Sequence, residues 1–497
     1  MLQEVPTSVE IAVNGYAVGA FVGYLVLLLA IGVYSARFSS AGIGEFFVGG
    51  RRMNRLVVAL SAVVSGRSAW LLLGVTGMAY VAGASAVWAI TGSTIAELVL
   101  FLTYARRLRR FSESHDCITL PDFFAARFGD DKGWLRLTLA LIILLFMVGY
   151  VSAQFVGGGK AMSASFGLTF GQGVLITALI VLGYTMVGGF LAVSLTDTFQ
   201  AFIMILGLVI LPVAAITAAG GWGAVAAEVT AYQPGFVNPF TVAFAVFIGH
   251  IGIGLGSPGN PHILVRYMSI EDPDQLKYAA VVGTTWNVVM GVGAVLVGIS
   301  GRVFFPDVGM LPSADPENLY PMLAQQQLHP FLFGVVVASI FAAIMSTADS
   351  QLLVAASSLV RDFYQKVVRR DRPVDQRRLV AYSRAVVLIL VVIAVLLGLT
   401  ADELVFWLVL FAWAGLGAAI GPTSILALYW RGTTRSGIFA GLLVGSVTTI
   451  VWGLTPALKS RLYELVPAFG LALLATVVVS WVTRPPADVD ELFDSMK

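Results

Sequence analysis

Residues 61–74 read "SAVVSGRSAWLLLG". Apolar residues press in from both sides, yet Gly66 and Arg67 stand in the middle. With its flanks the run extends over 55–82, long enough to cross a bilayer, and its centre is where an arginine is most costly. An unbroken helix through this point would carry that cost for nothing. A helix interrupted at "SGRSA" (65–69) would instead expose backbone and side chain to an internal site, so the reading of this stretch decides the fold.

The rest of the chain supports a membrane setting. Of 497 residues, 58% are hydrophobic and only 12% are charged, and the mean hydropathy is +0.88. Soluble domains carry roughly 25% charged residues. This is the composition of an all-α integral membrane protein. A net charge of +2 gives no broad basic surface for nucleic acid. Cys117 is the only cysteine, which excludes an intrachain disulfide, and four scattered histidines offer no metal cluster. No nucleophile–base set or phosphate loop is present, so neither an enzyme nor a cofactor is expected. The start, "MLQEVPTSVEIAVNG", lacks the basic region of a signal peptide, and the first apolar stretch reads as a retained helix.

About thirteen apolar runs have the length of a bilayer crossing: 11–35, 55–82, 85–105, 136–162, 170–193, 197–220, 239–268, 277–303, 330–363, 379–400, 403–430, 436–454 and 462–483. Connections are short, which predicts one membrane domain over 1–497. Placing the N-terminus outside puts 24 of the 30 Lys and Arg residues on the cytoplasmic side, within segments such as "RRLRR" (106–110) and 361–378. Four (Lys160, Arg302, Lys459, Arg461) fall on the other side, and Arg67 and Arg384 lie inside helices. The bias fits the positive-inside rule and predicts a multi-pass protein of the cell membrane with its C-terminus in the cytoplasm.

A second interruption is expected in the seventh run, at "GIGLGSPGNPH" (252–262). Gly and Pro free backbone groups that lipid cannot satisfy, so such breaks are tolerated where protein or a water-filled cavity meets them. Counted from the second run, the two breaks open successive five-helix sets, 55–220 and 239–430. The run 11–35 is then an extra N-terminal helix, 436–483 holds two C-terminal helices, and 484–497 is a short tail. Paired breaks in corresponding helices point to a transporter's binding site, with half-helix ends offering N–H groups to anions and carbonyls to cations.

Several stretches then carry a family likeness: "FFVGGR" (46–51), "SAWLLLG" (68–74), "LPDFFAARF" (120–128), "GGFLAVSLTDTFQ" (188–200), "PHILVRYM" (261–268), "IMSTADSQLLV" (344–354) and "FAWAGLGAAIGP" (411–422). In this order they resemble the sodium:solute symporter family, most closely its sodium/proline branch. The resemblance implies thirteen helices, a leucine-transporter-type inverted five-plus-five repeat and alternating access. It implies a sodium site of Val64, Arg67 and Ala343 carbonyls with the Ser346 and Thr347 hydroxyls. Hydroxyls of this kind also commonly bond back to their own helix. The substrate is expected between the breaks, at Ser65, Ser68, Trp70, Tyr150, Ile253, Ser257 and Pro261. Asp197 matches an acid that helps sodium leave toward the cytoplasm, although Ser194 with Asp197 also reads as a helix cap with an acid in the first turn. Asp349 serves an inner gate or pairs structurally.

Three features depart from that branch. It has an aspartate, important for sodium use, where this chain has Gly66, and a tryptophan and a tyrosine where this chain has Ile253 and Ser257. The third is Glu97, mid-helix in "WAITGSTIAELVLFLTYARR". Arg67 and Glu97 each lie about twelve residues, or roughly 18 Å, from the ends of consecutive antiparallel helices, which predicts that they meet near the bilayer centre. Arg67 then has three readings: a built-in cation with Glu97 as counter-ion or proton acceptor, a donor of its carbonyl alone to sodium, or a fork for a substrate carboxylate.

The expected function is import of a small organic solute, proline or a similar zwitterion leading, by sodium symport. A proton-coupled or sodium-independent carrier is the alternative, and a solute sensor without transport stands further off. The expected partners are the small-molecule substrate and the lipid bilayer.

Overall fold

The computed structural model describes residues 14–36, 42–370, 372, 374–401 and 403–496. Residues 11–13 of the first expected helix, with Glu4 and Glu10, lie outside them. The described chain is helical throughout, and its one β-type contact is an isolated bridge between Met53 and Ile270.

The helices follow the apolar runs, with ends set by local chemistry. After α1 (Gly15–Ala36), α2 (Arg55–Ser65) starts where the Asn54 side chain accepts from the Leu56 and Val57 N–H groups. It stops at Ser65, and α3 (70–82) continues beyond the break. Then follow α4 (87–114), α5 (Trp134–Phe166), α6 (Phe170–Met186) and α7 (Gly189–Ala218). The second interrupted helix is α8 (Phe244–Gly252), a tight turn (Ile253–Gly259) and α9 (Pro261–Ser269). Beyond it run α10 (Leu276–Phe304), α11 (Pro330–Val368), α12 (Gln376–Leu399), α13 (Val405–Tyr429), α14 (Arg435–Gly453) and α15 (Leu465–Trp481).

Helices α5, α11 and α13 are largely buried, whereas α1, α12 and α14 turn much of their apolar surface outward, as lipid-facing helices do. Both breaks meet this inner group. The 253–259 turn packs on α13, and α2 packs on α7, α9 and α10.

Several expected boundaries move. The fourth helix continues through Ser114, so "RRLRR" is helix and not loop. Arg109 is buried there and donates from Nε to the Ile270 carbonyl at 2.7 Å. The expected break at 193–197 falls instead at Gly189, whose φ of 59° is left-handed and whose Cβ would lie 2.9 Å from the Phe46 ring. Ser194 therefore sits inside α7 and caps nothing, so Asp197 is not placed by a helix start. The helix begun at 330 runs to Val368, because Asp362 near its end is held by Thr119 (2.8 Å) and Arg136 (3.0 Å). In the same network Asp122, on the short helix Leu120–Phe128, pairs with Arg136 and Arg361. Burial alone would raise the Asp122 carboxyl, but Arg361 and Arg136 hold it below the ordinary carboxylate range. The tail after 484 contains a short helix, Val489–Asp494, whose Phe493 ring receives the Arg127 guanidinium at 5.0 Å.

At the opposite end the loop before α11 closes over the bundle. Glu317 accepts from the Val405 and Phe406 N–H groups (2.9 and 2.8 Å), capping α13, and Lys160 of α5 donates to it at 2.5 Å and to Asp315 at 2.7 Å. Phe406, fixed in this way, stacks on Trp70 of α3 at 5.9 Å. Lys160→Met strands the buried Glu317 carboxylate and should lower stability by on the order of 2 kcal/mol, with partial recovery in Lys160→Met/Glu317→Gln. Thermal unfolding of the purified protein checks this, and an unchanged midpoint in the single variant would contradict it.

Candidate functional site

The two breaks face each other, and each is repaired by side chains from other helices. At the first, Ala69 N–H donates to Gln154 Oε1 of α5 at 3.0 Å, Trp70 N–H donates to Ser68 Oγ at 3.2 Å, and His262 Nε2 lies 3.1 Å from the Ser65 carbonyl. At the second, Trp413 of α13 donates from Nε1 to the Ile253 carbonyl at 2.8 Å, Asn260 donates to the Gly256 carbonyl at 2.8 Å, and Ser424 donates to the Pro258 carbonyl at 3.1 Å. A Cβ on Gly256 would stand 1.9 Å from that indole nitrogen, so glycine is what lets α13 approach. Pro261 restarts the helix at its first turn, where its missing N–H costs nothing.

His262 joins the two breaks to α5, because its ring also stands edge-on to Tyr150 at 5.9 Å. The expected substrate residues Ser65, Ser68, Trp70, Tyr150 and Pro261 are thus gathered by contacts across the breaks. Ser257 is buried, and its hydroxyl has no hydrogen-bond partner among the described residues. The same holds for Trp70 Nε1, Gln154 Nε2 and His262 Nδ1. These unpartnered atoms all belong to residues at or beside the two breaks.

Beside the first break, α11 presents two hydroxyls to the end of α2. Ser346 Oγ lies 3.4 Å from the Val64 carbonyl and 3.2 Å from that of Ala343. Thr347 Oγ1 lies 3.5 Å from the Val64 carbonyl and 3.2 Å from that of Ser65. These are long for hydroxyl–carbonyl hydrogen bonds, whose mode is about 2.7–2.8 Å. A hard cation of calcium's size takes oxygens at about 2.3–2.6 Å, which sets neighbouring oxygens of one shell about 3.3–3.7 Å apart. Sodium is a hard cation of similar size, and the donor set fits it.

One helical turn from these oxygens lies an acid cluster. Asp197 accepts from Ser61 (2.6 Å), Ser65 (3.4 Å) and Arg266 (3.3 Å), while Asp349 accepts from Tyr184 and Ser350. Ser350 also meets Ser65 Oγ at 3.4 Å and receives Arg266. Ser65 therefore touches both the Thr347 hydroxyl and the acid cluster. Sequence reasoning passed over Arg266 because its place at the inner end of the seventh run made it one more cytoplasmic charge, whereas it is 1% exposed.

Arg67 turns to the other side of the break. Its Nη1 lies 3.0 Å from Glu97 Oε1 and donates to the Gly66 carbonyl at 3.3 Å, and Asn287 of α10 donates to Glu97 Oε2 at 2.6 Å. Arg67 and Glu97 are 1% and 2% exposed. A Cβ added to Gly66 would point to within 3.6 Å of Glu97 Oε1. An acid on α4 therefore occupies the direction in which an aspartate at 66 would project. Asn287 went unnoticed in the sequence, although a lone amide within an apolar run was its available signal.

Because the pair is buried, removing one member strands the other. Arg67→Gln and Glu97→Gln should each lower folded yield and unfolding midpoint, while the double variant recovers much of the loss. Additive losses would show that the two side chains do not act together.

Comparison with known proteins agrees with this architecture. The sodium:solute symporter family model matches residues 46–445. The osmoregulated proline transporter of Bacillus subtilis (strain 168) is 38% identical over 467 residues, covering 93% of this chain and 94% of that one. The sodium/proline symporter of Staphylococcus aureus (strain JH9) is also 38% identical, over 473 residues, covering 93% and 92%. Among solved structures, a sodium-coupled sialic acid symporter superposes with a TM-score of 0.80 at 17% identity, covering 95% of this chain and 99% of that one. A nucleobase-cation-symport-1 family transporter gives 0.56 at 16% identity, covering 92% and 99%. These neighbours share the leucine-transporter-type fold with its interrupted helices. The chain is a multi-pass membrane transporter, not an enzyme, and it belongs to the sodium:solute symporter family.

Proposed function

We propose that the chain imports a small zwitterionic solute together with sodium, with proline the leading candidate. The observation that carries this reading is the set of Val64, Ser65 and Ala343 carbonyls and Ser346 and Thr347 hydroxyls spaced 3.2–3.5 Å apart at the first break. The relatives' names supply proline and sodium, and the fold neighbour is itself sodium-coupled. The solute lies between the breaks, near Ser65, Ser68, Trp70, Tyr150 and Ser257. Alternating access exchanges the sets 55–220 and 239–430, and Asp197, two contacts inward of the cation oxygens, receives sodium as it leaves. Asp349 braces that exit through Ser350. One sodium ion moving down 100 mV gives about 2.3 kcal/mol, and a tenfold gradient adds about 1.4, enough to accumulate solute roughly several hundred-fold.

A second reading rests on the Arg67–Glu97 contact of 3.0 Å beside Gly66: an internal ion pair replaces the transported ion, and transport is proton-coupled or ion-independent. Uptake of labelled L-proline and a panel of amino acids into proteoliposomes, with sodium and proton gradients imposed separately, distinguishes the two. The sodium reading expects uptake driven by sodium and lost in Ser346→Ala/Thr347→Ala. Uptake that ignores sodium and follows protons, or neither ion, would favour the pair.

The orientation in this proposal is N-terminus outside and C-terminus inside. Cysteine labelling from the external face should therefore reach residues at 306–316 and miss those at 366–370. The reverse pattern would overturn it.

A further inference from the structure

Arg67 uses only part of its guanidinium. Nη1 is taken by Glu97 and the Gly66 carbonyl, whereas Nε and Nη2, equally buried, have no hydrogen-bond partner among the described residues. Nε–H and one Nη2–H point the same way from one edge of the group, the edge that receives both oxygens of a carboxylate. That edge lies away from Nη1's contacts, and Arg67 itself sits within the break, between Ser65, whose carbonyl meets His262, and Ala69, whose N–H meets Gln154 of α5. Two charged donors left open at a bilayer centre are expensive unless something occupies them.

We infer that the free Nε/Nη2 edge of Arg67 is the anchor for the substrate's carboxylate. This rests on the proposed import of a zwitterion and names the group by which the zwitterion is held. Glu97 sharpens the class. It already neutralises Arg67, so a bare carboxylate would stand beside an unmatched anion, whereas an α-amino acid brings an ammonium to meet it. Glu97 Oε1 faces Arg67 without receiving an aligned hydrogen bond, so it remains an acceptor for the ammonium of an α-amino acid. The ligand class is therefore a small α-amino acid with both groups free.

The test is ligand-induced thermal stabilisation of the purified full-length protein in sodium buffer, using four probes of one shape. L-proline carries both groups, L-prolinamide and pyrrolidine lack the carboxylate, and cyclopentanecarboxylate lacks the amine. L-alanine and L-alaninamide form a second pair. The amino acids should stabilise at concentrations about 100-fold or more below those the probes missing a group require. Arg67→Gln/Glu97→Gln, which strands no charge, should remove that discrimination. Arg67→Lys, which keeps the charge but loses the fork, should lie between. Amides that stabilise as well as acids, no stabilisation by either amino acid, or discrimination that survives in the double variant would each overturn the assignment. Repeating the wild-type measurement in choline buffer separates the two claims: carboxylate discrimination without sodium dependence sinks the sodium reading and leaves the Arg67 anchor standing.

Discussion

Everything at the centre of this molecule follows from one constraint: a helix broken inside a bilayer frees backbone groups that lipid cannot satisfy. Here Gln154, His262, Trp413, Asn260 and Ser424 each spend a polar atom on such a group. These five come from α5, α9, α13 and the turn itself. The repair therefore ties the two breaks to each other, to α5 and to α13. It also defines the site, because whatever the repair leaves unpaired is what a guest can use. The long contacts of the Ser346 and Thr347 hydroxyls with the Val64 and Ser65 carbonyls, and the open donors of Arg67, are what the repair leaves loosely engaged.

The two charged clusters flanking the break differ in kind. Asp197, Asp349 and Arg266 lie on one side of it and are laced together by serine hydroxyls. Arg67 and Glu97 lie toward α4 and α10 and are fixed by the amide of Asn287. An arginine alone at this depth costs at least about 2.5–3.5 kcal/mol. Its pairing with Glu97 removes most of that penalty while leaving one edge of the guanidinium for work. The Glu97 carboxylate reaches the space beside Gly66 from the neighbouring helix.

Much of this was legible in the sequence. Composition gave the membrane, and the glycine and proline clusters gave both breaks. The depth of Arg67 and Glu97 brought the pair together before any coordinates. What failed was local. The end of the fourth helix was misplaced because an arginine-rich run reads as a loop, although Arg109 buries itself against a carbonyl of the next repeat. The helix boundary near Asp197 was misplaced because Ser194 imitates a cap, while the chain in fact turns at Gly189 for want of room beside Phe46. Arg266, Asn287 and Trp413 were missed for a common reason. Their roles exist only as contacts across long sequence separations, and periodicity carries no trace of those.

The central claim is that cation and solute occupy one site formed by the breaks, so that each must strengthen the other's binding by the same factor. The most direct measurement is the equilibrium affinity of the purified protein for labelled L-proline with sodium present and with choline in its place, in wild type and in Ser346→Ala/Thr347→Ala. The account predicts a marked loss of affinity without sodium, and the same weak, sodium-blind affinity in the variant. Equal affinity in both buffers for the wild type would contradict it.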